Sequence, residues 1–105
     1  MVTHRPVVLL LSDTDEGTAT RDEIVVEILK ELESAEAKFP TWPDDPIAGE
    51  AIVAEESGEL TRAANHFEWE PHKYESSSLY KEATQTAAMA IRFLMYLKFH
   101  KQGQA

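Results

Sequence analysis

Near the middle of the chain, Glu55-Glu56-Ser57-Gly58-Glu59 gathers three carboxylates within five residues. On a helix, positions three and four apart share a face, so Glu56 meets Glu59 and Glu55 meets Glu59. Like charges at these spacings destabilise an isolated helix by about 0.2–0.5 kcal/mol a pair, and a helical glycine costs about 0.5–1 kcal/mol more than alanine. A divalent cation offsets that repulsion. Hard Mg²⁺ takes carboxylate oxygens and keeps water or phosphate oxygens as its remaining ligands. A solvated acidic face, with Gly58 admitting a close helix approach, accounts for the same residues without a metal. Glu82 bears on the choice because it is the sole acid after Glu75. It falls in the first turn of an otherwise apolar helix, where the helix N-terminus alone stabilises a carboxylate by about 0.3–1 kcal/mol.

Composition narrows the chemistry further. The 105 residues are 43% hydrophobic and carry 10 Lys and Arg against 19 Asp and Glu, a net charge of −9. That balance disfavours a nucleic acid polymer or an anionic membrane as partner. Acids crowd the stretch from Asp44 to Glu75, whereas Lys81, Arg92, Lys98 and Lys101 follow with Glu82 alone against them. No cysteine is present, which excludes disulfides, thiolate metal sites and cysteine nucleophiles. Any metal is therefore held by oxygen or imidazole. The four glycines form neither a P-loop nor a dinucleotide-binding pattern, so phosphate binding has to go through metal. Ser57, Ser76, Ser77 and Ser78 lack a histidine and acid arranged as a nucleophilic triad. His66 and His72 have no second histidine at ligand spacing, and His4 and His100 lie near the chain ends. No apolar run approaches the roughly 18 residues of a membrane span, and a cytoplasmic location is expected.

The elements that have to position these groups are helical. The spacing predicts a single domain over 1–105, with an arm or strand in 1–18 and a helical core in 19–105. Val7 to Leu11 reads as a short extended segment. Thr20 and Glu23 have capping-box spacing, opening an amphipathic helix from about Arg21 to Lys38. Pro40, Pro43 and Pro46 break the chain, and Asp45-Pro46 reads as an N-cap with its first helical residue. A second helix is expected to about Phe67, with Ile47, Ala51, Ala54, Leu60, Ala63, Ala64 and Phe67 inward. After a loop over Glu68 to Ser78, a third helix runs from about Leu79 to Phe99. That helix is apolar nearly all round, including Ala88, Ile91 and Met95, and needs cover nearly all round. The expected fold is an all-α bundle of about three helices completed by oligomerisation.

Two segments together carry a resemblance: Ala54-Glu55-Glu56-Ser57-Gly58-Glu59-Leu60, and Glu82-Ala83-Thr84-Gln85-Thr86-Ala87-Ala88-Met89-Ala90. In that order and spacing the chain resembles the MazG-like all-α nucleoside triphosphate pyrophosphohydrolases, over about Phe39 to Leu97. The resemblance implies a helical bundle built as a dimer or tetramer, with Mg²⁺ or Mn²⁺ held by Glu56, Glu59 and Glu82. Glu55 matches an extra acid that orients or deprotonates water. Gln85 stands where the family has aspartate. Its amide carbonyl can ligate Mg²⁺ but supplies no charge and is a poor base.

The resemblance implies a nucleoside triphosphate as substrate and cleavage to monophosphate and pyrophosphate. Trp42 is a candidate to stack on the base, since both offer π-faces, and equally a candidate for plain interhelical packing. Lys81 and Arg92 are candidates to meet phosphate. A second reading, favoured by Gln85, is a helical assembly without efficient turnover that senses nucleotide or binds a partner protein.

Overall fold

The computed structural model describes residues 15–70 and 76–103, which form three helices without a strand among them. Helix α1 spans Asp15–Lys38, α2 spans Pro46–Trp69 and α3 spans Ser76–Gly103. The all-α expectation is met. The extended segment expected at Val7 to Leu11 lies outside the described residues, as do His4 and His72. The arm does not reach residue 18, because α1 is already helical from Asp15. Thr20 accordingly lies inside α1 and caps nothing: its hydroxyl donates to the Glu16 carbonyl one turn back, at 2.8 Å. A threonine followed three residues later by Glu fits a helix interior as well as a helix start, and local hydroxyl-to-carbonyl bonding satisfies it there.

Helix α2 starts where Asp45-Pro46 predicts. The Asp45 backbone is extended, and its Oδ1 accepts from the Ile47 amide at 3.0 Å. Proline at the first helical position loses no intrahelical bond, because that amide has no partner in any case. The expected loop over Glu68 to Ser78 is shorter than anticipated, since α2 continues to Trp69 and α3 begins at Ser76.

Helix α3 is the middle of the assembly: α1 and α2 each pack on it and not on one another. Tyr80 donates to Glu27, and Arg92 reaches the Phe39 carbonyl, so α1 runs in the same direction as α3. Thr86 meets Glu56 while Phe93 meets Gly49, so α2 runs in the opposite direction. The α1–α2 connection therefore crosses over α3, and Arg92 fastens it there. The Arg92 Nη2 donates to the carbonyls of Phe39 at 2.7 Å and Thr41 at 3.3 Å, and the guanidinium lies 5.1 Å from the centre of the Trp42 ring. Being buried, the guanidinium depends on those carbonyls and the aromatic face for what it loses in water. Arg92 is thereby committed to holding the fold rather than free for phosphate.

Close approach between α2 and α3 occurs at Gly49, not at Gly58. A Cβ on Gly49 would lie 2.9 Å from Trp42 Nε1 and 3.1 Å from Phe93 Cδ1, whereas one on Gly58 would meet nothing within 4 Å. The sequence pattern drew attention to Gly58 because it interrupts the acids. The contact instead follows from Trp42 and Phe93 filling the space beside α2.

Among the described residues the buried apolar core is small: Leu32, Ala35, Ala63 and Ala88. Ala88 is 0% exposed, so it is covered within one chain, whereas Met95 on the same helix is 52% exposed. Of the inward positions expected on α2, only Ala63 is buried; Ile47 is 78% exposed, and Ala51, Ala54 and Ala64 are also open. With one neighbouring helix, α2 has one narrow covered stripe. Leu94, Met95 and Phe99 on α3 likewise remain exposed. Among the described residues, no helix is long and apolar enough to cross a membrane.

Candidate metal centre

The opposed directions of α2 and α3 bring three acids from two distant parts of the chain to one point. One carboxylate oxygen from each of Glu56, Glu59 and Glu82 lies within 4.8 Å of the others. Glu56 and Glu59 share a face of α2 through their three-residue spacing. Glu82 comes from the second turn of α3 and not, as expected, the first, because the helix already starts at Ser76; Thr86 one turn later fixes the register. The Thr86 Oγ1 lies 2.8 Å from the Glu82 carbonyl and 3.2 Å from the Glu56 carbonyl, so one hydroxyl proton is shared between the two helices. Thr86 gave no signal in the sequence beyond being a polar residue in an apolar stretch.

All three acids are half-buried. Partial burial pushes the Glu56 carboxyl up from its ordinary value of 4.5 to about 7, and the hydrogen-bonded carboxyl of Glu59 adds to this. The charges of Glu59, Glu82 and Glu55 push it in the same direction. Near neutral pH Glu56 is therefore only partly ionised. Glu82 Oε1 is fully shielded from solvent and has no hydrogen-bond partner. A buried acceptor in that condition costs about 1–3 kcal/mol, or more when charged.

These features fit a hard divalent cation. The donor set is all oxygen, contains three acids, and includes one buried oxygen otherwise left without a partner. Ligand oxygens about 2.1 Å from Mg²⁺ lie about 3–4 Å from each other. The trio thus needs only a small contraction to share one ion. No nitrogen or sulfur donor joins it among the described residues.

The remaining candidates divide around this point. Gln85 is half-buried on α3, three residues beyond Glu82 and so on a neighbouring part of the same face. Glu55 is exposed and outside the trio, although its charge reaches Glu56. Lys81 is exposed beside Glu82. Trp42 is at the other end of the α2–α3 contact, its ring tilted against Phe93 with centroids 6.5 Å apart. From Gly49, which Trp42 touches, to Glu56 is about 10 Å along α2 at about 1.5 Å per residue. Trp42, Arg92, Met95, Tyr96 and Phe99 line a groove of about 270 Å³.

His100, read from sequence as a residue near the chain end, pairs with Asp44 at 2.8 Å and stacks on Tyr96, whose hydroxyl is 3.4 Å from the same carboxylate. His66 lies 3.7 Å from Glu70 on its own helix. Neither histidine approaches the three acids closely enough to join them.

No family model, curated protein or solved structure matches this chain.

Proposed function

We propose that this chain is a Mg²⁺-dependent nucleoside triphosphate pyrophosphohydrolase that works as a homo-oligomer, with Mn²⁺ able to replace Mg²⁺. The observation that carries the reading is the convergence of Glu56, Glu59 and Glu82, with the Glu82 Oε1 buried and unpartnered. The motif resemblance supplies the substrate class.

Glu56, Glu59 and Glu82 would hold the metal, with Gln85, half-buried three residues beyond Glu82, as a candidate further oxygen donor. Bound Mg²⁺ supplies a Lewis acid for phosphate oxygens and lowers the pKa of water. Glu56 would hold the metal as its carboxylate, since a ligand carboxylate has to be ionised. Glu55, exposed beside the trio, orients the attacking water and accepts its proton at a carboxylate oxygen. Water oxygen forms a bond to the α-phosphorus while the bond from that phosphorus to the α–β bridging oxygen breaks. The products are nucleoside monophosphate and pyrophosphate. Lys81, exposed next to Glu82, meets the phosphate chain. The aromatic groove at Trp42, whose α3 residues lie on the order of 15–25 Å beyond Glu82 along that helix, receives the base.

Gln85 favours a second reading, a nucleotide-binding assembly without efficient turnover, because the amide lacks the charge and basicity of an acid. One experiment separates the two: pyrophosphate release from canonical and modified nucleoside triphosphates, with and without Mg²⁺, alongside binding of the same nucleotides. Mg²⁺-dependent release supports hydrolysis. Binding without release supports the second reading, and neither binding nor release refutes both.

A further inference from the structure

One side of α3 is only partly covered in this chain: Ala83, Leu94 and Leu97 on it are exposed, and Ala87 and Ala90 are half-buried. Ala83, Ala87, Ala90, Leu94 and Leu97 recur at helical spacing along it, with Leu94 63% exposed and Leu97 37% exposed. The stripe is graded: small residues occupy its N-terminal half and leucines its C-terminal half. Beside the small end, Ile24, Ile28, Tyr80, Ala83 and Thr84 line an apolar groove of about 210 Å³ between α1 and α3.

Charge is graded as well. The sequence has no acid after Glu82, and exposed Lys98 borders the leucine end of the stripe. The small end is bordered by α1, whose Glu27 accepts from Tyr80 and whose Glu23 lies near enough to raise the Tyr80 pKa.

We propose that two copies of this chain pair α3 against α3, antiparallel about a twofold axis at Ala90. This deepens the self-association included in the proposed function by naming its surface and direction. Leu94 of each copy enters the hollow formed by Ala83, Ala87 and Ala90 of the other, and Leu97 lies beside the other copy's Ala83. Lys98 of each copy lays its aliphatic stem over the apolar groove of the other, which brings its ammonium to Glu27. A parallel pairing sets leucine on leucine, leaves the alanines facing a gap and places Lys98 against Lys98. Only the antiparallel arrangement is self-complementary in both size and charge, as a twofold interface requires.

Because the chain contains no cysteine, single-cysteine variants of the full protein read the arrangement directly. Helices packing over alanine approach to about 8 Å. With Cα atoms about 2.3 Å from each axis, Cα atoms directly facing are about 3.5 Å apart and those turned partly off the line between the axes about 4–6 Å, within reach of a disulfide. Under mild oxidation Ala90→Cys is expected to cross-link to itself. Ala83→Cys and Leu97→Cys are expected to cross-link when mixed and not when oxidised separately. Sedimentation of the wild type is expected to give twice the 11.8 kDa chain mass, and Leu94→Glu the mass of one chain. A wild-type monomer at micromolar concentration overturns the proposal. So does self-cross-linking of Ala83→Cys without the mixed product, which reports parallel pairing. The cysteine variants decide the matter even if Leu94→Glu does not fold. None of these measurements uses metal or nucleotide, so their failure and the failure of the hydrolase reading are distinguishable.

Discussion

Replacing Glu56 with glutamine separates two consequences of the three-acid cluster that have opposite signs. Without metal, burial and the surrounding carboxylates push Glu56 from 4.5 to about 7. An acid with a raised folded-state pKa binds its proton more tightly in the fold, so stability falls as pH rises from about 4.5 to about 7 and levels off above. At about 1.4 kcal/mol per pH unit the full difference is about 3–4 kcal/mol. The group is partly open to water, and screening reduces this to about 1–2 kcal/mol. Glutamine does not ionise and escapes that loss. In EDTA at pH 8, Glu56→Gln is therefore expected to be more stable than wild type by about 1–2 kcal/mol, with most of the difference gone at pH 5. With Mg²⁺ the order reverses its meaning. At a hundred times its dissociation constant, a ligand bound by the native state alone adds about 2.7 kcal/mol to the wild type, and the variant loses that increment. Urea denaturation at both pH values, with EDTA and with Mg²⁺, measures all four quantities. A variant less stable than wild type at pH 8 in EDTA, or one with an undiminished Mg²⁺ response, refutes the reasoning.

Gln85→Asp adds a charge beside the trio: metal-free stability is expected to fall through repulsion and Mg²⁺ affinity to rise several-fold, both readable by calorimetric titration with parallel denaturation. The two helical glycines are expected to diverge. Gly58→Ala gains about 0.5–1 kcal/mol because its side is open, while Gly49→Ala loses about 1–3 kcal/mol against Trp42 and Phe93, as thermal or urea unfolding will show. Thr86→Val removes the hydroxyl shared between the Glu56 and Glu82 carbonyls and is expected to cost about 0.5–1.5 kcal/mol, measured in urea with EDTA present.

The start of α2 was legible because Asp45-Pro46 is a local signal, acting through one side chain and the next two residues. The meeting of Glu56, Glu59 and Glu82 was legible for a different reason: helical spacing pairs the first two, and an antiparallel neighbour carrying a lone acid supplies the third. What the pattern misplaced depends on contacts distant in sequence. Thr20 matches a cap by spacing, but whether a helix begins there depends on the preceding residues, and these continue α1 upstream. Gly58 interrupts an acidic helix conspicuously, yet Gly49 is the glycine under another side chain, and only the placement of Trp42 and Phe93 reveals it. Arg92 reads as a cation on a helix flank until the α1–α2 connection is laid across α3.

The most direct test of the account is phosphorus NMR of the full chain incubated with a nucleoside triphosphate panel, with Mg²⁺ and with EDTA, for wild type and Glu59→Gln. The account predicts paired monophosphate and pyrophosphate resonances for at least one nucleotide, present with Mg²⁺, abolished in EDTA and reduced by on the order of a hundredfold or more in the variant, as is usual when transition-state charge stabilisation is removed. Diphosphate with inorganic phosphate in place of those products, or undiminished turnover by Glu59→Gln, contradicts it.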